Sequence, residues 1–333
     1  MSMPIARRAL LAVAAMPAVA RAATPLRIGI LHTLSPAPLY IAMDRGYFRD
    51  AGLAARFRFF QAAQPIAAAA VAGDIEVGVT ALTGGFFALA GRGALHVIGG
   101  GLQERRGIEG TALLASPKAF AAGLTSPAKL PGHSVGITQF GSSFQYMVGR
   151  IAEIEHFDPK SIVLRPLQGI GNMIAALGTN QVDATFAIAS QAKPLVAAGR
   201  AHLLAWIGDL FPYQITAVFT TNRMVTRRAA ELRGFADAYK RGVTDYRAAF
   251  FTPGAPAATT DAAIASIEKF VFTGDPNAPA KIRAGIGYYN ADGALDVPDV
   301  RRQIDWFRAQ GLVKVPLDPA KIIDTQFLPT IDL

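Results

Sequence analysis

Short apolar runs alternate with helical stretches through the first two thirds of the chain, and this alternation restricts the fold more than any other sequence feature. Strands that repeatedly alternate with helices are typical of α/β proteins with mainly parallel sheets covered on both faces. The pattern therefore predicts an α/β fold. The predicted strands lie at residues 26–31, 56–60, 75–80, 95–100, 111–116, 134–138, 161–167, 184–189, 202–207 and 216–221.

The last third of the chain is predicted to be helical. Residues 227–250 and 298–312 carry apolar side chains at helical spacing, and a Pro- and Gly-rich segment at 252–260 predicts a linker between helices. Gly311 predicts the end of the second helical stretch, because glycine readily adopts the left-handed conformation that closes a helix.

Two segments of the chain resemble each other. Residues 67–80 and 174–186 both consist of an Ala-rich helix, a turn residue, an aliphatic–acidic pair and a strand. The turn residues, Gly73 and Asn180, are the two types that most readily end a helix in the left-handed region. The repeat suggests two similar α/β units, and chance similarity is the alternative because any such unit uses these residue types.

The first 22 residues have the composition of an export signal. Arg7 and Arg8 form a basic start, residues 9–20 are apolar but too few to span a bilayer, and residues 20–22 form an A-x-A cleavage site. We expect residues 1–22 to be removed and the mature protein to reside in the periplasm. The sequence leaves open whether the arginine pair directs twin-arginine export.

Composition and charge exclude several classes of protein. A hydrophobic fraction of 51% indicates a globular chain with a sizeable core. The chain has no cysteine, which excludes zinc-ribbon, iron–sulfur, thiol-nucleophile and disulfide interpretations. The net charge of +9 falls to +6 without the predicted signal, and the basic residues are scattered, so no nucleic-acid partner is expected. A diffuse positive field suits a small anion, and it also favours solubility.

No catalytic, metal or cofactor site is predicted from motifs. The five histidines lack metal-binding spacing, and no G-x-S-x-G motif occurs. Gly169 and Gly171 follow a predicted strand, but Ile174 replaces the third glycine of the dinucleotide-binding fingerprint. We interpret these glycines as a tight turn between strand and helix.

Five segments in order resemble the solute-binding proteins of ABC importers for sulfonates, taurine, nitrate and thiamine precursors, and the resemblance extends from residue 26 to 328. The chain departs from this family in having Glu76 where Asp is usual and Asn180 where Gly is usual. It also lacks the cysteine-rich motif of the related thiamine-pyrimidine synthases. The segments are LRIGILHTLSPAPLYIAMDRGYFRDAGL, AGDIEVGVTALT, SVGITQFGSSFQYMVGRIAE, GTNQVDATFAI and WFRAQGL.

This resemblance implies a two-lobed fold of the periplasmic-binding-protein type II, with a small, mainly parallel sheet flanked by helices in each lobe and the ligand in the cleft between them. It places residues 23–110 and 222–333 in lobe 1 and residues 111–221 in lobe 2. The chain would cross between lobes near 110–111 and 221–222. The implied partners are a small anionic solute and the permease and ATPase of an importer, with the receptor itself a monomer.

Loops that follow the strands carry many hydroxyl groups and glycines. Ligands of α/β sheets bind outside the carboxyl ends of the strands, so these loops and nearby polar and aromatic residues are the candidate site. The candidate ligand-binding residues are Thr33, Ser35, Gln61, Thr80, Leu82, Thr83, Gln139, Gly141, Ser142, Ser143, Ala189, Gln191 and Trp206.

The segment Gly141-Ser142-Ser143 lies where a strand gives way to a helix. Free amide groups at a helix N-terminus attract anions, and the two serines add hydroxyl donors, so the segment is predicted to be an anion cradle. The alternative is that Ser142 only caps the helix. Aromatic residues near the strand ends favour an organic anion, sulfonate-like or carboxylate, over nitrate. These are Phe60, Phe140, Phe144, Phe186, Trp206 and Tyr213.

Four further charged or titratable positions leave alternatives open. Arg105 and Arg106 would clamp a carboxylate or sulfonate if they face the cleft, and otherwise belong to a solvated loop. The rival function is an enzyme on the same scaffold that acts on a small cyclic acid, with Glu104 or His32 as its base. A ligand-sensing subunit of a membrane signalling system is the third interpretation.

Overall fold

The computed structural model describes residues 24–332, so the predicted export signal at 1–22 lies outside the described residues. No helix in the described part is both long and apolar enough to cross a membrane. The strands are β1 Thr24–Leu31, β2 Leu53–Phe60, β3 Val77–Ala81, β4 Leu95–Gly100, β5 Leu102–Glu104, β6 Thr111–Ala115, β7 Ser134–Ile137, β8 Val163–Pro166, β9 Ala184–Ile188, β10 His202–Trp206, β11 Tyr213–Gln214, β12 Thr216–Thr221, β13 Tyr288–Tyr289, β14 Leu295–Asp296 and β15 Thr330–Ile331.

Helices fill most of the connections and dominate the last third of the chain, as the sequence predicts. The α-helices are α1 Ala37–Asp44, α2 Tyr47–Asp50, α3 Gln64–Val71, α4 Gly84–Ala90, α5 Pro117–Ala121, α6 Ser143–Ile154, α7 Ile170–Gly178, α8 Ala189–Ala197, α9 Ile207–Leu210, α10 Asn222–Arg227, α11 Ala229–Phe250, α12 Ala257–Glu268, α13 Ala278–Ala284, α14 Val297–Ala309 and α15 Pro319–Ile322.

Two five-stranded sheets organise the described residues, in the orders β2-β1-β3-β12-β4 and β10-β6-β9-β7-β8. The predicted α/β class is confirmed. Each sheet is mixed rather than mainly parallel, however, because it contains two parallel and two antiparallel pairings. The antiparallel pairings all involve β12 or β6. In the chain, β12 follows β11 and β6 follows β5, so each of the two strands is reached from the small third sheet. Each runs antiparallel to its neighbours.

The two sheets have matching strand orders when one is read in reverse, and the repeated segments occupy matching places. One segment contains α3 and β3, and the other contains α7 and β9. Both strands lie at the centre of their sheets, next to the first strand of each unit. The turn residues Gly73 and Asn180 have φ of 80° and 55°, in the left-handed region that their types predict.

A third sheet, in the order β11-β5-β13, connects the two larger ones. The chain passes from β4 to β6 through β5, and from β10 to β12 through β11. The predicted lobe 2 at residues 111–221 included β12, but β12 pairs with β3 and β4 of the first sheet. We therefore propose that the lobes meet at β5 and β11, several residues before both predicted crossing points.

The core continues from one lobe into the other where α14 packs against both. Trp306 of α14 lies against Gly149 of α6, where a Cβ atom would approach the indole to 2.2 Å. Phe307, the next residue, packs against Phe87 of α4 and Tyr146 of α6. Helix α14 thus contacts α4, which follows the first sheet's β3, and α6, which follows the second sheet's β7.

Candidate functional site

A cavity lies between the two large sheets, at the carboxyl ends of β1, β3, β7 and β9. Its volume of about 50 Å³ holds only a few waters, on a scale where one water needs about 10–15 Å³. The cavity in this conformation is therefore too small for an organic solute. The lining residues are Leu31, Thr33, Ser35, Ala62, Ala63, Gln64, Thr80, Ala81, Thr83, Leu102, Thr111, Thr138, Gln139, Ser142, Ser143, Phe144, Ile170, Ile188, Ile215 and Thr216.

The cavity wall combines hydroxyl and amide groups with aliphatic side chains, and its lining residues carry no ionisable side chain. Most of the hydroxyl groups that have partners support the local backbone. Thr83 caps α4 by accepting from the Phe86 N–H at 3.1 Å, and Thr216 accepts from the Leu102 N–H at 2.6 Å. The wall is therefore uncharged and mainly apolar, with a few hydroxyl and amide groups set among aliphatic side chains.

Two hydroxyl groups in the wall are fully buried and have no hydrogen-bond partner among the described residues. Thr80 on β3 and Thr111 on β6 are each 1% exposed, and the Oγ1 atom of each is buried and unpaired. A buried polar atom without a partner costs about 1–3 kcal/mol, so such atoms are uncommon unless something binds them. One lies on each five-stranded sheet, so the two hydroxyl groups line the cavity from opposite sides.

The lobes touch directly beside the cavity. The Gly84 N–H, at the start of α4, donates to the Gly141 carbonyl of the other lobe at 2.9 Å. The Gln139 amide also donates to the Gln64 side-chain oxygen. These two bonds join the loop after β3 and the helix after β2 to the loop after β7, and together they hold the cavity closed.

In the segment 141–145, some of the groups that the predicted cradle would offer to an anion already have partners within the protein. Ser142 caps α6, since its Oγ accepts from the Gln145 N–H at 3.4 Å, as in the alternative interpretation. The Gly141 N–H donates to the Gln145 side chain at 2.7 Å and is not free for a ligand. The first two amides of α6, from Ser143 and Phe144, have no intrahelical acceptor. The available donors are therefore these amides and the Ser143 hydroxyl.

The structure brings seven of the predicted site residues to the cavity: Thr33, Ser35, Thr80, Thr83, Gln139, Ser142 and Ser143. Six others do not line it. Leu82 and Ala189 are buried in the core, and Trp206 packs on the far side of the second sheet with Ala112 and Leu114. Gly141 forms the contact between lobes, while Gln61 is exposed and lies near Gly169 across the cleft. Gln191 is half-buried, with its Oε1 unpaired.

The sequence reasoning missed Gln64, Thr111, Thr138 and Thr216. Thr138 directly follows β7 and was detectable by the same rule that selected Gln139. Thr111 and Thr216 begin strands rather than follow them, so the rule about carboxyl ends excluded both. Among the six aromatic candidates only Phe144 lines the cavity, while Phe140 is 58% exposed and Phe186 and Tyr213 lie in the core.

The charged and titratable candidates near the site do not reach the cavity. Arg105 donates to the Tyr288 hydroxyl at 3.0 Å and lies over that ring, and Arg106 is exposed. His32 is exposed and its Nε2 lies 2.7 Å from the Phe270 carbonyl. Glu104 is buried behind the wall, where burial raises its pKa to about 7 despite hydrogen bonds from Thr111. No side chain in the wall is therefore placed as a catalytic base.

The sequence of the chain matches a known protein family. A family model described as NMT1/THI5 like matches residues 34–249, nearly two thirds of the sequence. The chain belongs to the NMT1/THI5-like family. This confirms the family resemblance of the sequence. No curated protein matches the chain.

Solved structures share the fold of this NMT1/THI5-like chain. The alkanesulfonate-binding protein SsuA from Xanthomonas axonopodis pv. citri, bound to MOPS, is 19% identical, covers 92% of this chain and 100% of its own, and has a TM-score of 0.70. The ligand-binding component of an ABC-type import system from Staphylococcus aureus is 11% identical, with 91% and 97% coverage and a TM-score of 0.70. A desulfurization enzyme, DSZB, is 13% identical, with 91% and 97% coverage and a TM-score of 0.59. The two-lobed fold is thus confirmed.

Proposed function

We propose that the protein is the solute-binding receptor of an ABC-type importer and captures a small organic anion, sulfonate or carboxylate, between its two lobes. The observation that carries this proposal is the pair of unpartnered hydroxyls, Thr80 and Thr111, which face one cavity from opposite lobes. Family membership and the importer component among the solved relatives support it. Its partners would be a membrane permease and an ATPase, and the predicted export signal would place it in the periplasm.

An anion is favoured because the wall offers hydrogen-bond donors. Hydroxyl groups from both lobes and the first amides of α6 converge on the cavity, and helix amides favour negative charge. Aliphatic side chains and Phe144 fill the remaining wall, which suits the organic part of a solute. Each hydrogen bond to a charged group contributes about 1.5–3 kcal/mol, so several of them, together with burial of the organic part, offset the cost of association and reach the roughly 8 kcal/mol of micromolar binding.

Binding rather than catalysis is favoured by the uncharged wall. General acid–base chemistry needs a titratable group within hydrogen-bond reach of the reacting atom. The lining contains none, and Glu104 and His32, the sequence's candidate bases, both lie outside it. The two backbone crossings through the third sheet also suit a receptor that opens and closes.

A thermal-shift panel tests the proposal. The purified protein is heated with ethanesulfonate, taurine, benzoate or nitrate, and a ligand at 100 times its dissociation constant adds about 2.7 kcal/mol of stability. We expect a sulfonate or carboxylate to shift the melting temperature and nitrate to have little effect. If none of these anions stabilises the protein, the proposed function is wrong.

A variant at the start of α6 locates the bound anion. We expect Ser143→Ala to weaken binding of the strongest panel ligand about tenfold, since one charge-assisted hydrogen bond is lost. The matched control is Ser161→Ala, because Ser161 is exposed and bonds only a local carbonyl. Ser142→Ala/Ser143→Ala should bind more weakly still. Unchanged affinity in the double variant would remove α6 from the binding site.

A further inference from the structure

A buried carboxyl group lies directly behind the cavity wall. Glu104, at the end of β5, is 1% exposed, and both of its oxygens accept from the backbone N–H of Thr111, at 3.0 and 3.1 Å. Thr111 itself lines the cavity with its unpaired hydroxyl. One residue therefore separates Glu104 from the cavity.

The groups that surround Glu104 provide no cation. Tyr213 pairs with it across β11, and Tyr146 of α6 and Asp299 of α14 lie beyond Tyr213. The guanidinium of Arg105, the next residue, donates to the hydroxyl of Tyr288 on β13 and lies over its ring, so it does not pair with Glu104. After β5, Glu109 is ion-paired with Lys193 of α8. Among the described residues, Glu104 has no ion pair.

Asp299 is a second buried carboxyl, with more hydrogen-bond partners than Glu104, although burial raises its pKa too, to about 6. Its Oδ1 atom receives a hydrogen bond from Arg302 at 2.8 Å, and its Oδ2 atom accepts from the Gln214 N–H and the Gln303 amide. A buried carboxylate needs such partners because transfer of an unpaired charge from water is costly. Glu104 has one backbone donor in place of these partners.

An anion in the cavity would meet this carboxyl across Thr111. Two negative charges within about 10 Å repel each other by about 1.7 kcal/mol at an effective dielectric constant near 20, which is a factor of more than ten in affinity. The repulsion disappears if Glu104 binds a proton. Protonation also relieves the cost of its burial.

We propose that capture of an anionic solute is coupled to the uptake of one proton by Glu104, so that the receptor binds more tightly in mildly acidic surroundings. The proton comes from solvent and is held on a carboxyl oxygen of Glu104 in the closed state. This inference rests on the proposed function, because a neutral solute would not feel the charge. Burial already raises the pKa of Glu104 to about 7, so the group titrates where the coupling has consequences.

Isothermal titration calorimetry with ethanesulfonate, or with benzoate if only carboxylates bind in the panel, tests the coupling. Both probes keep a constant charge between about pH 6 and about pH 8. We expect the dissociation constant to rise roughly sixfold over this range. Titrations at about pH 7.5 in triethanolamine and in Tris, two cationic buffers with different ionisation enthalpies, should reveal uptake of roughly half a proton or more per bound anion.

Two variants separate Glu104 from other acids. Glu104→Gln should bind the probe with nearly constant affinity across the range and without proton uptake. Glu109→Gln, which removes an exposed acid five positions along the chain, should retain the wild-type dependence. The wild-type proton uptake tests the coupling even if Glu104→Gln does not fold.

The outcomes are distinct from those that test the proposed function. If no panel anion binds at any pH, the proposed function fails and this inference fails with it. If an anion binds with constant affinity and no proton uptake, only the coupling is wrong. Affinity for the anionic probe that increases with pH would also overturn the coupling, because it would mean that binding releases a proton instead of taking one up.

Discussion

The two lobes place an acidic residue at equivalent positions, but they surround it with different partners. Glu76 precedes β3 and accepts from the Arg27 N–H of β1 at 2.6 Å, and Asp183 precedes β9 and accepts from the Ser134 N–H of β7 at 2.8 Å. In both lobes the carboxylate therefore satisfies a backbone donor near the start of the neighbouring strand. The fold needs an acceptor at this position.

The partners differ in charge. Glu76 is 12% exposed and contacts the guanidinium groups of Arg27 and Arg228, whereas Asp183 is 38% exposed and is bound by Ser134, with His133 at 3.7 Å. Burial opposes ionisation of both acids, but their hydrogen bonds outweigh it and lower the pKa of each. The partner beside the backbone donor therefore varies between the two lobes, while both acids are buried less completely than Asp299, whose pKa burial raises despite several donors. The pKa of Glu104 shifts in the opposite direction because its burial outweighs the hydrogen bonds from Thr111.

The largest expected effect is a pH-dependent change in stability at Glu104, which lies on the third sheet between the lobes and not in either lobe. The pKa of Glu104 is raised from 4.5 to about 7, so the folded state retains a proton that the unfolded state releases, and stability falls as pH rises between these values. The cost is about 3 kcal/mol above neutral pH. Glu104→Gln should recover most of it at about pH 8 and nothing at about pH 4. Urea unfolding at both pH values measures the gain, and a loss of stability at alkaline pH would contradict it.

The second prediction compares the two lobe acids. Glu76→Gln should destabilise the protein by about 2 kcal/mol and Asp183→Asn by about 1, because Glu76 is more buried and has charged donors. Since the pKa of each acid is lowered, their contribution is present above about pH 4.5 and is lost as pH falls. Urea unfolding at neutral and acid pH tests both. A larger cost at Asp183 would show that burial does not decide the difference.

The third prediction compares the unpaired hydroxyls of the two lobes. Thr80→Val and Thr111→Val replace a buried, unpartnered hydroxyl by a methyl group of similar size, so each should stabilise the free protein by about 1 kcal/mol while weakening anion binding. Thr83→Val is the control, because its hydroxyl caps α4 and its loss should destabilise the protein by about 1 kcal/mol. Thermal unfolding with and without ligand distinguishes the three. Stronger binding in either valine variant would exclude that threonine as a ligand contact.

Much of the fold follows from local patterns. The strands predicted from apolar runs all occur, with boundaries shifted by a few residues, and Gly73 and Asn180 have the left-handed backbone that their types favour. The loops after β1, β3 and β7 reach the cavity because the carboxyl ends of these strands face it. These features depend on side-chain period and backbone preference, which a few consecutive residues determine.

Tertiary structure alone decided the rest, because it depends on contacts between distant segments. The partners of β12, the use of the Gly141 amide by Gln145 and the position of Trp206 on the far face have no local signature. Thr111 enters the cavity because the chain turns from the connecting sheet into the second lobe at that residue. The sequence determined which segments are strands, helices and polar loops. Only long-range packing determined which buried hydroxyl groups lack a hydrogen-bond partner and which buried carboxyl group lacks an ion pair. Burial and partners are properties of the assembled core.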